Sequence, residues 1–289
     1  MKPDPSDEMT LSARIARRRH LLRRARGMAL SDAGFLHREA AEIIGERLAV
    51  TQREFSDPLL LFDGPFAAMI AATLRRQGAP LKRPFRLLPW PEPGGETRAE
   101  ILDLEPESID LAVSVFDLQR VADLPMMLMQ LNLALKPDGL LMLCLPSAGS
   151  LETLRAALLK TEAELTGGAA ARIESFAGPR EIGDLLHRAG FKLVVTDGEE
   201  RRLRYGSLKN LLRDLRAAAA GSLHSRMHPP LPRDTLPRLA EVLRQDHGDG
   251  DGRFAIGCNL VFASGWKAAP GQQQPLRPGS ARHRLGDFL

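Results

Sequence analysis

The chain has 289 residues, of which 44% are hydrophobic, and its 40 lysines and arginines outnumber 36 acids to give a formal net charge of +4. This apolar content suffices for one elaborated α/β domain or two small ones. No purely apolar run exceeds about ten residues, whereas a membrane-spanning helix needs roughly twenty, so no transmembrane segment is predicted. Cys144 and Cys258 lack CxxC or metal-ligand spacing, and we expect two buried thiols.

The excess positive charge is concentrated near the amino terminus, where seven arginines and no acid lie between Arg14 and Arg26. Three interpretations stay open: a nucleic-acid or anionic-membrane contact, a transit-peptide-like presequence, or a helix face that is solvated or docks on the protein's own acidic surface. The third is favoured over the other two, nucleic-acid binding included, because runs of like charge usually lie on a solvated surface. No apolar segment follows the charges, so we expect no secretory signal and a cytoplasmic protein.

Two helices are predicted before the first strand. Residues 11–26 form the basic helix, and Ser31 and Asp32 are suitable caps for a second helix with an apolar face from Leu36 to Leu48. Four short, mostly apolar segments then predict strands of a sheet that is covered on both faces. These segments are 59–62, 85–88, 109–115 and 140–145.

Helical patterns alternate with these strands and continue beyond them. They are 65–76, 124–135, 151–165, 181–189, 207–219 and 234–245, with further strands at 191–195 and 254–263. This alternation predicts an α/β fold with a mostly parallel sheet and right-handed crossovers. We expect an N-terminal helical extension at 1–50, an α/β domain at 51–267 with a helical insert at about 206–250, and a flexible tail at 268–289.

The strand at 109–114, followed by a helix and then Lys136-Pro137-Asp138-Gly139, resembles the passage from strand four to strand five in class I S-adenosylmethionine (SAM) methyltransferases. The resemblance implies a Rossmann-like fold with helices on both faces and added N-terminal helices. We expect the four residues to form a tight turn, in which Pro137 sets φ and Gly139 supplies a positive φ.

A narrower resemblance covers nearly the whole chain. It points to the branch that contains the mitochondrial complex I assembly factor described as an arginine hydroxylase and, more distantly, the malonyl-carrier-protein methyltransferase of biotin synthesis. It implies SAM as cofactor and a respiratory-complex subunit as protein partner. The segments that carry it are 35–48, 122–125, 176–191, 205–206, 233–235, 265–267 and 276–281.

The resemblance assigns positions to a SAM site: a glycine-rich turn after strand one, an acid after strand two, and apolar residues beside the adenine. The cofactor-binding candidates at these positions are Asp63, Gly64, Pro65, Asp103, Leu104 and Phe116. One glycine of the motif, Gly64, remains, and Phe66 stands where bare backbone should face the ligand.

Other positions depart from the family pattern as well. After strand two the chain has Trp90 and no carboxylate before Glu92. Gln119 and Arg120 stand where the branch has histidine and tryptophan, and glutamine cannot titrate. These departures together predict a degenerate SAM site with impaired or lost enzymatic activity, and no catalytic residue is assigned.

Two functional hypotheses follow. In the first, the chain is a methyltransferase-fold protein that acts as a complex I assembly-type or other partner-binding factor through the basic helix, the insert and the tail. In the alternative, it is an active SAM-dependent methyltransferase or related protein-arginine hydroxylase with a remodelled pocket.

Remaining candidate sites are weaker. His224 and His228 lack a third metal ligand, and the segment 246–251 lacks calcium-loop spacing, so no metal site is predicted. Met126, Met127 and Met129 form one surface of the helix at 124–135, and we expect them to fill the core in preference to forming a partner groove.

Overall fold

The computed structural model describes residues 34–61, 66–88, 100–121, 123–170, 172–173, 175–217 and 230–273. Several predicted features lie outside these residues: the basic helix at 11–26, the caps Ser31 and Asp32, the candidates Asp63, Gly64 and Pro65, Trp90, the His224–His228 pair and the tail from 274 onward. No described helix is long and apolar enough to cross a membrane.

Helices and strands alternate along the described chain. The helices are α1 (Phe35–Ala49), α2 (Ala67–Arg76), α3 (Leu124–Ala134), α4 (Glu152–Thr166), α5 (Pro179–Arg188), α6 (Leu208–Ala217) and α7 (Thr235–His247). The strands are β1 (Pro58–Leu61), β2 (Arg86–Leu88), β3 (Ile109–Val115), β4 (Leu135–Pro146), β5 (Phe191–Tyr205) and β6 (Phe254–Lys267).

The six strands form one sheet in the order β2-β1-β3-β4-β6-β5. The first four are mutually parallel, and β6 runs antiparallel to both of its neighbours. Every residue of β3 is buried, as expected for a strand covered on both faces. The predicted α/β fold with a mostly parallel sheet is therefore confirmed.

Helices cover the parallel strands from both sides. On one face α1 and α2 contribute Ile44 and Leu74 to the core, and on the other α3 and α5 contribute Leu131 and Leu186. A third apolar cluster lies where α4, α6 and α7 pack against the far end of the antiparallel pair β5–β6. The strands thus carry two independent core layers, one above and one below.

The segment Lys136-Pro137-Asp138-Gly139 bulges out of the β3–β4 ladder, since these four residues lie between the partners of Ile109 and Leu111, but the positive φ predicted for Gly139 is wrong. It lies within β4, next to an irregularity in the β3–β4 register, and Asp138 rather than Gly139 has the positive φ, at 61°. Contacts hold it there, since Asp138 pairs with Arg53 and accepts a hydrogen bond from Gln272 at 2.9 Å. Gly139 is required for space, because a Cβ would lie 2.8 Å from the Lys136 carbonyl oxygen.

The largest error in the predicted boundaries concerns β5 and β6, the two antiparallel strands at one edge of the sheet. The sequence predicts 191–195 and 254–263, whereas β5 and β6 extend to Tyr205 and Lys267. The second half of β5 is rich in charged residues and has no apolar run that marks a buried strand. Its ladder with β6 is nevertheless continuous from Val195 to Tyr205, because an edge strand needs only one paired neighbour.

Asp110 fixes the amino end of the parallel sheet. This carboxylate on β3 is 6% exposed and accepts backbone hydrogen bonds from Ser56 at 2.7 Å and Asp57 at 2.9 Å. Hydrogen bonds to a charged acceptor are stronger than neutral ones, so this side chain ties the start of β1 to β3.

We expect Asp110→Ala to lower the free energy of unfolding by about 2–3 kcal/mol, because two backbone N–H groups lose a charged acceptor. Urea denaturation followed by circular dichroism measures this change. Asp103→Ala, at an exposed position, is the matched control, and an equal effect of the two substitutions would contradict the assigned role.

Asp57, beside this contact, gives a pH-dependent test. A hydrogen bond from Lys136 at 2.5 Å, aided by the positive charge of Lys136, Arg83 and Arg86, lowers the pKa of the Asp57 carboxyl below 3.8. A lowered folded-state pKa adds stability above the unfolded value, and this stability is lost as the pH falls. Lys136→Met should therefore destabilise the protein at pH 7 but much less at pH 3, as measured by urea denaturation at both values.

Candidate functional site

The carboxyl ends of β1 and β3 define the place where a sheet of this kind binds ligands. These two strands are neighbours, but the chain leaves β1 for β2 on one side and returns to β3 on the other. Open α/β sheets bind ligands in the crevice at this reversal of strand order. We therefore take the residues that follow Leu61 and Val115 as the candidate site.

Three aromatic rings lie together at this edge. The His37 ring on α1 is 4.3 Å from the Phe66 ring, which precedes α2, and 5.1 Å from the Phe116 ring, which follows β3. The interplanar angles are 42° and 75°, within the tilted and edge-on arrangements that aromatic groups favour. The rings connect α2, α1 and the end of β3, and we name His37, Phe66 and Phe116 the ring cluster.

Phe66 is directed toward α1. A Cβ on Gly34 would lie 2.9 Å from the Phe66 ring, so the start of α1 rests against that ring. Phe66 is half-buried and packs against the core layer of α1 and α2, whereas Phe116 is only 5% exposed. The ring cluster therefore fills the space between α1 and the end of β3.

Phe116 has an unusual backbone conformation. Its φ is 54°, in the left-handed region that non-glycine residues seldom adopt. Its N–H donates to the Cys144 carbonyl at 3.0 Å, and its own carbonyl accepts from the Gln119 amide at 2.9 Å. Such conformations cost about 1–3 kcal/mol and concentrate at functional sites.

A buried ion pair lies directly after Phe116 in the chain. Asp117 and Arg120 form a salt bridge, and their side chains are 6% and 3% exposed. Between them, the buried Gln119 Oε1 atom has no hydrogen-bond partner among the described residues. The two positions where the resemblance implies histidine and tryptophan are thus occupied by an uncharged amide and a neutralised guanidinium.

The described cofactor candidates lie in different layers. Leu104 is half-buried against the α3 and α5 core, Asp103 is exposed, and Phe116 belongs to the α1 and α2 core. Contact of these residues with a cofactor stays a prediction. The sequence did not single out His37 or Asp117, although a histidine on the apolar face of α1 was a visible signal for the first.

The acidic loop predicted at 246–251 forms ion pairs instead of a cation site. Lys160 pairs with Asp246 at 2.7 Å, and Arg204 pairs with both Asp249 and Asp251 at 2.7 Å. The loop borders a polar cleft of about 660 Å³ that lies between α4, α7 and the antiparallel strands β5 and β6. Across the described residues, no group of three or more histidine, cysteine, aspartate or glutamate side chains could hold a metal ion.

Similarity to known proteins agrees with the resemblance drawn from the motifs. The mitochondrial arginine-hydroxylase NDUFAF5 of Rattus norvegicus is 32% identical over 189 residues, which are 65% of this chain and 55% of that protein. The malonyl-[acyl-carrier protein] O-methyltransferase of Halorhodospira halophila is 29% identical over 220 residues, 72% of this chain and 66% of that protein. The chain is a relative of both groups.

The matched part of the chain spans little more than half the length of these arginine hydroxylases. It covers 55% of the human protein, at 31% identity, and 59% of the Danio rerio protein, at 29% identity. No protein-family model matches the chain.

Two solved structures are also similar. The YcgJ protein of Bacillus subtilis has a TM-score of 0.44 and 11% identity, covering 80% of this chain and 99% of that one. Phosphoethanolamine N-methyltransferase 2 of Haemonchus contortus, solved with S-adenosyl-L-methionine, has a TM-score of 0.40 and 12% identity. The match covers 80% of this chain and 52% of that one.

The Asp117–Arg120 pair can be tested by a double-mutant cycle. Removing one member of a buried ion pair typically costs about 3–5 kcal/mol, whereas apolar replacement of both can be nearly neutral. We therefore expect Asp117→Leu to destabilise the protein strongly, and Asp117→Leu combined with Arg120→Met to recover most of the loss in urea denaturation.

The exposed pair of Arg76 and Glu42, with its atoms 3.3 Å apart, is the control. Glu42→Ala should change the free energy of unfolding by less than about 1 kcal/mol. Additive effects of the Asp117 and Arg120 substitutions would show that the two side chains do not act as a pair.

Proposed function

We propose that this protein has a methyltransferase fold in which the SAM site is filled by the protein's own side chains, and that it acts by binding a protein partner during respiratory-complex assembly. The observation that supports it best is the ring cluster. SAM requires open space and bare backbone at the carboxyl ends of the first strands, where the structure has the Phe66 ring packed against His37 in a tilted arrangement. The proposed compartment is the cytoplasm.

The described residues do not fit SAM. The end of β3 holds the buried Phe116 side chain and the Asp117–Arg120 ion pair. Beyond β2, the sequence lacks a carboxylate for the ribose hydroxyls until Glu92. A ligand entering this edge would have to displace the packed rings or separate the buried charge pair, and either change costs free energy.

The proposed partner class comes from the relatives. NDUFAF5 is a mitochondrial arginine hydroxylase, and the resemblance places it among complex I assembly factors. A protein that keeps the fold and loses the cofactor site can retain the surface by which such a factor binds its target, because function belongs to sites grafted on a fold. We therefore propose a respiratory-complex subunit as the partner.

A second function is supported by one observation. Phe116 holds a left-handed backbone conformation at the end of β3, and backbone strain concentrates at working sites. It favours the alternative of an active SAM-dependent methyltransferase or arginine hydroxylase with a remodelled pocket. In that case SAM would bind after the rings rearrange.

Isothermal titration calorimetry of the full chain with SAM separates the two proposals. We expect no binding heat with SAM at millimolar concentration, because the ring cluster occupies the required space. Thermal unfolding gives an independent reading, since a ligand at a hundred times its Kd would stabilise the fold by about 2.7 kcal/mol. A micromolar Kd would overturn the filled-site proposal and support the enzyme.

The assembly role has its own measurement. We expect cells that lack this protein to contain less fully assembled complex I on native gels, and re-expression of the full chain to restore it. An unchanged amount of complex I would contradict the assembly role, whatever the calorimetry shows.

A further inference from the structure

Helix α3 has an apolar face turned away from the sheet. Met126, Met129 and Leu133 are 45%, 53% and 58% exposed, and their spacing of three and four residues places them on one side of the helix. The expectation that the methionines of this helix fill the core is therefore wrong except for Met127, which is fully buried. Methionine is flexible and suits a surface that adapts to a bound segment.

A neighbouring loop extends this face. Gln130 on α3 accepts a hydrogen bond from the Leu102 backbone N–H and donates one to the Glu100 carbonyl, both at 2.8 Å. These bonds fix Ile101, which is 56% exposed, beside the helix. We name Ile101, Met126, Met129 and Leu133 the α3 patch.

The patch has an acidic border. The Glu107 backbone N–H donates to the Leu133 carbonyl at 3.1 Å, so the chain from Glu100 to Glu107 runs along α3. This segment carries four acids and no base, and its Asp103, Glu105 and Glu107 are exposed. Lys267 lies 3.6 Å from Glu107 and partly offsets this negative charge. An occupant with apolar residues flanked by positive charge would match this surface.

The sequence contains such an occupant. Residues 11–26 combine Leu11, Ile15 and Leu22, which share a face at helical spacing, with seven arginines and no acid. Because the segment belongs to the same chain, its effective concentration at the patch is high, and a small contact suffices to hold it.

A short linker joins the arginine-rich segment to the start of α1. Seven residues separate Arg26 from Gly34, and an extended chain of this length spans about 25 Å. Gly34 rests against Phe66 at the carboxyl edge of the sheet, and α3 begins near the same edge because it follows β3. Because α1 and α3 cover opposite faces of the sheet, the linker has to pass over this carboxyl edge to reach the start of α3. It does not have to run the length of the strands.

We propose that the arginine-rich segment of residues 11–26 docks on the α3 patch of its own chain. Its apolar side chains cover the exposed methionines and leucine, and its arginines face Asp103, Glu105 and Glu107. This inference goes beyond the proposed function and does not depend on whether SAM binds.

Hydrogen exchange of the full chain, read by mass spectrometry, tests the contact. We expect the amides of residues 11–26 to be protected, and Met129→Lys combined with Leu133→Lys to speed their exchange at least tenfold. Val50→Lys is the matched control, because Val50 is an 81% exposed apolar residue on the opposite helical layer, and it should change nothing in 11–26. Salt at 1 M, which shortens the Debye length to about 3 Å, should also reduce the protection.

Both lysine variants replace exposed side chains, and an unchanged circular dichroism spectrum would show that they fold. Photo-crosslinking then locates the occupant, with p-benzoylphenylalanine in place of Met129. A crosslink to residues 11–26 within one chain supports the proposal. A crosslink only between two chains, protection that persists in the double lysine variant, or absence of protection in the unaltered protein would overturn it.

Discussion

The burial of β3 and β4 on both faces is the constraint from which the architecture follows. All seven residues of β3 are buried, as are the residues of β4 from Leu140 to Leu145. Strands of this kind are stable only with a helical layer above and another below. That requirement places α1 across the carboxyl end of β3, and it is this placement that brings His37 against Phe116. The filled candidate site is thus a consequence of how the sheet is covered.

The sequence predicted those parts of the fold whose signals are local. The bounds of β3 were correct because five of its seven residues are apolar and the strand is covered on both sides. The second half of β5 was missed because its charges are satisfied across space: Arg201 pairs with Glu39 on α1, and Arg204 with Asp249 beyond α7. A partner more than forty residues away leaves no periodic signal in the strand itself.

The site was predictable in part for the same reason. The loss of glycines around Gly64 and the placement of Phe66 are visible in one stretch of sequence. The groups that fill the space are not visible in one stretch, because the ring cluster takes its members from α1, the start of α2 and the end of β3. Likewise, Arg120 could be recognised as a departure from the family, but its burial beside Asp117 depends on the turn after β3. Sequence shows what a site has lost, and the fold shows what replaced it.

The long strand β5 has one further consequence, for solubility. It is the last strand of the sheet, so one row of its backbone groups faces outward and offers a template on which a strand from another molecule could add. From Asp197 to Arg204 this edge carries acids and arginines whose partners lie on α1 and the loop after α7. An incoming strand would have to break these ion pairs or bury their charges. The same salt bridges that hold β5 to α1 and to the loop after α7 therefore protect the protein from growing into a larger sheet.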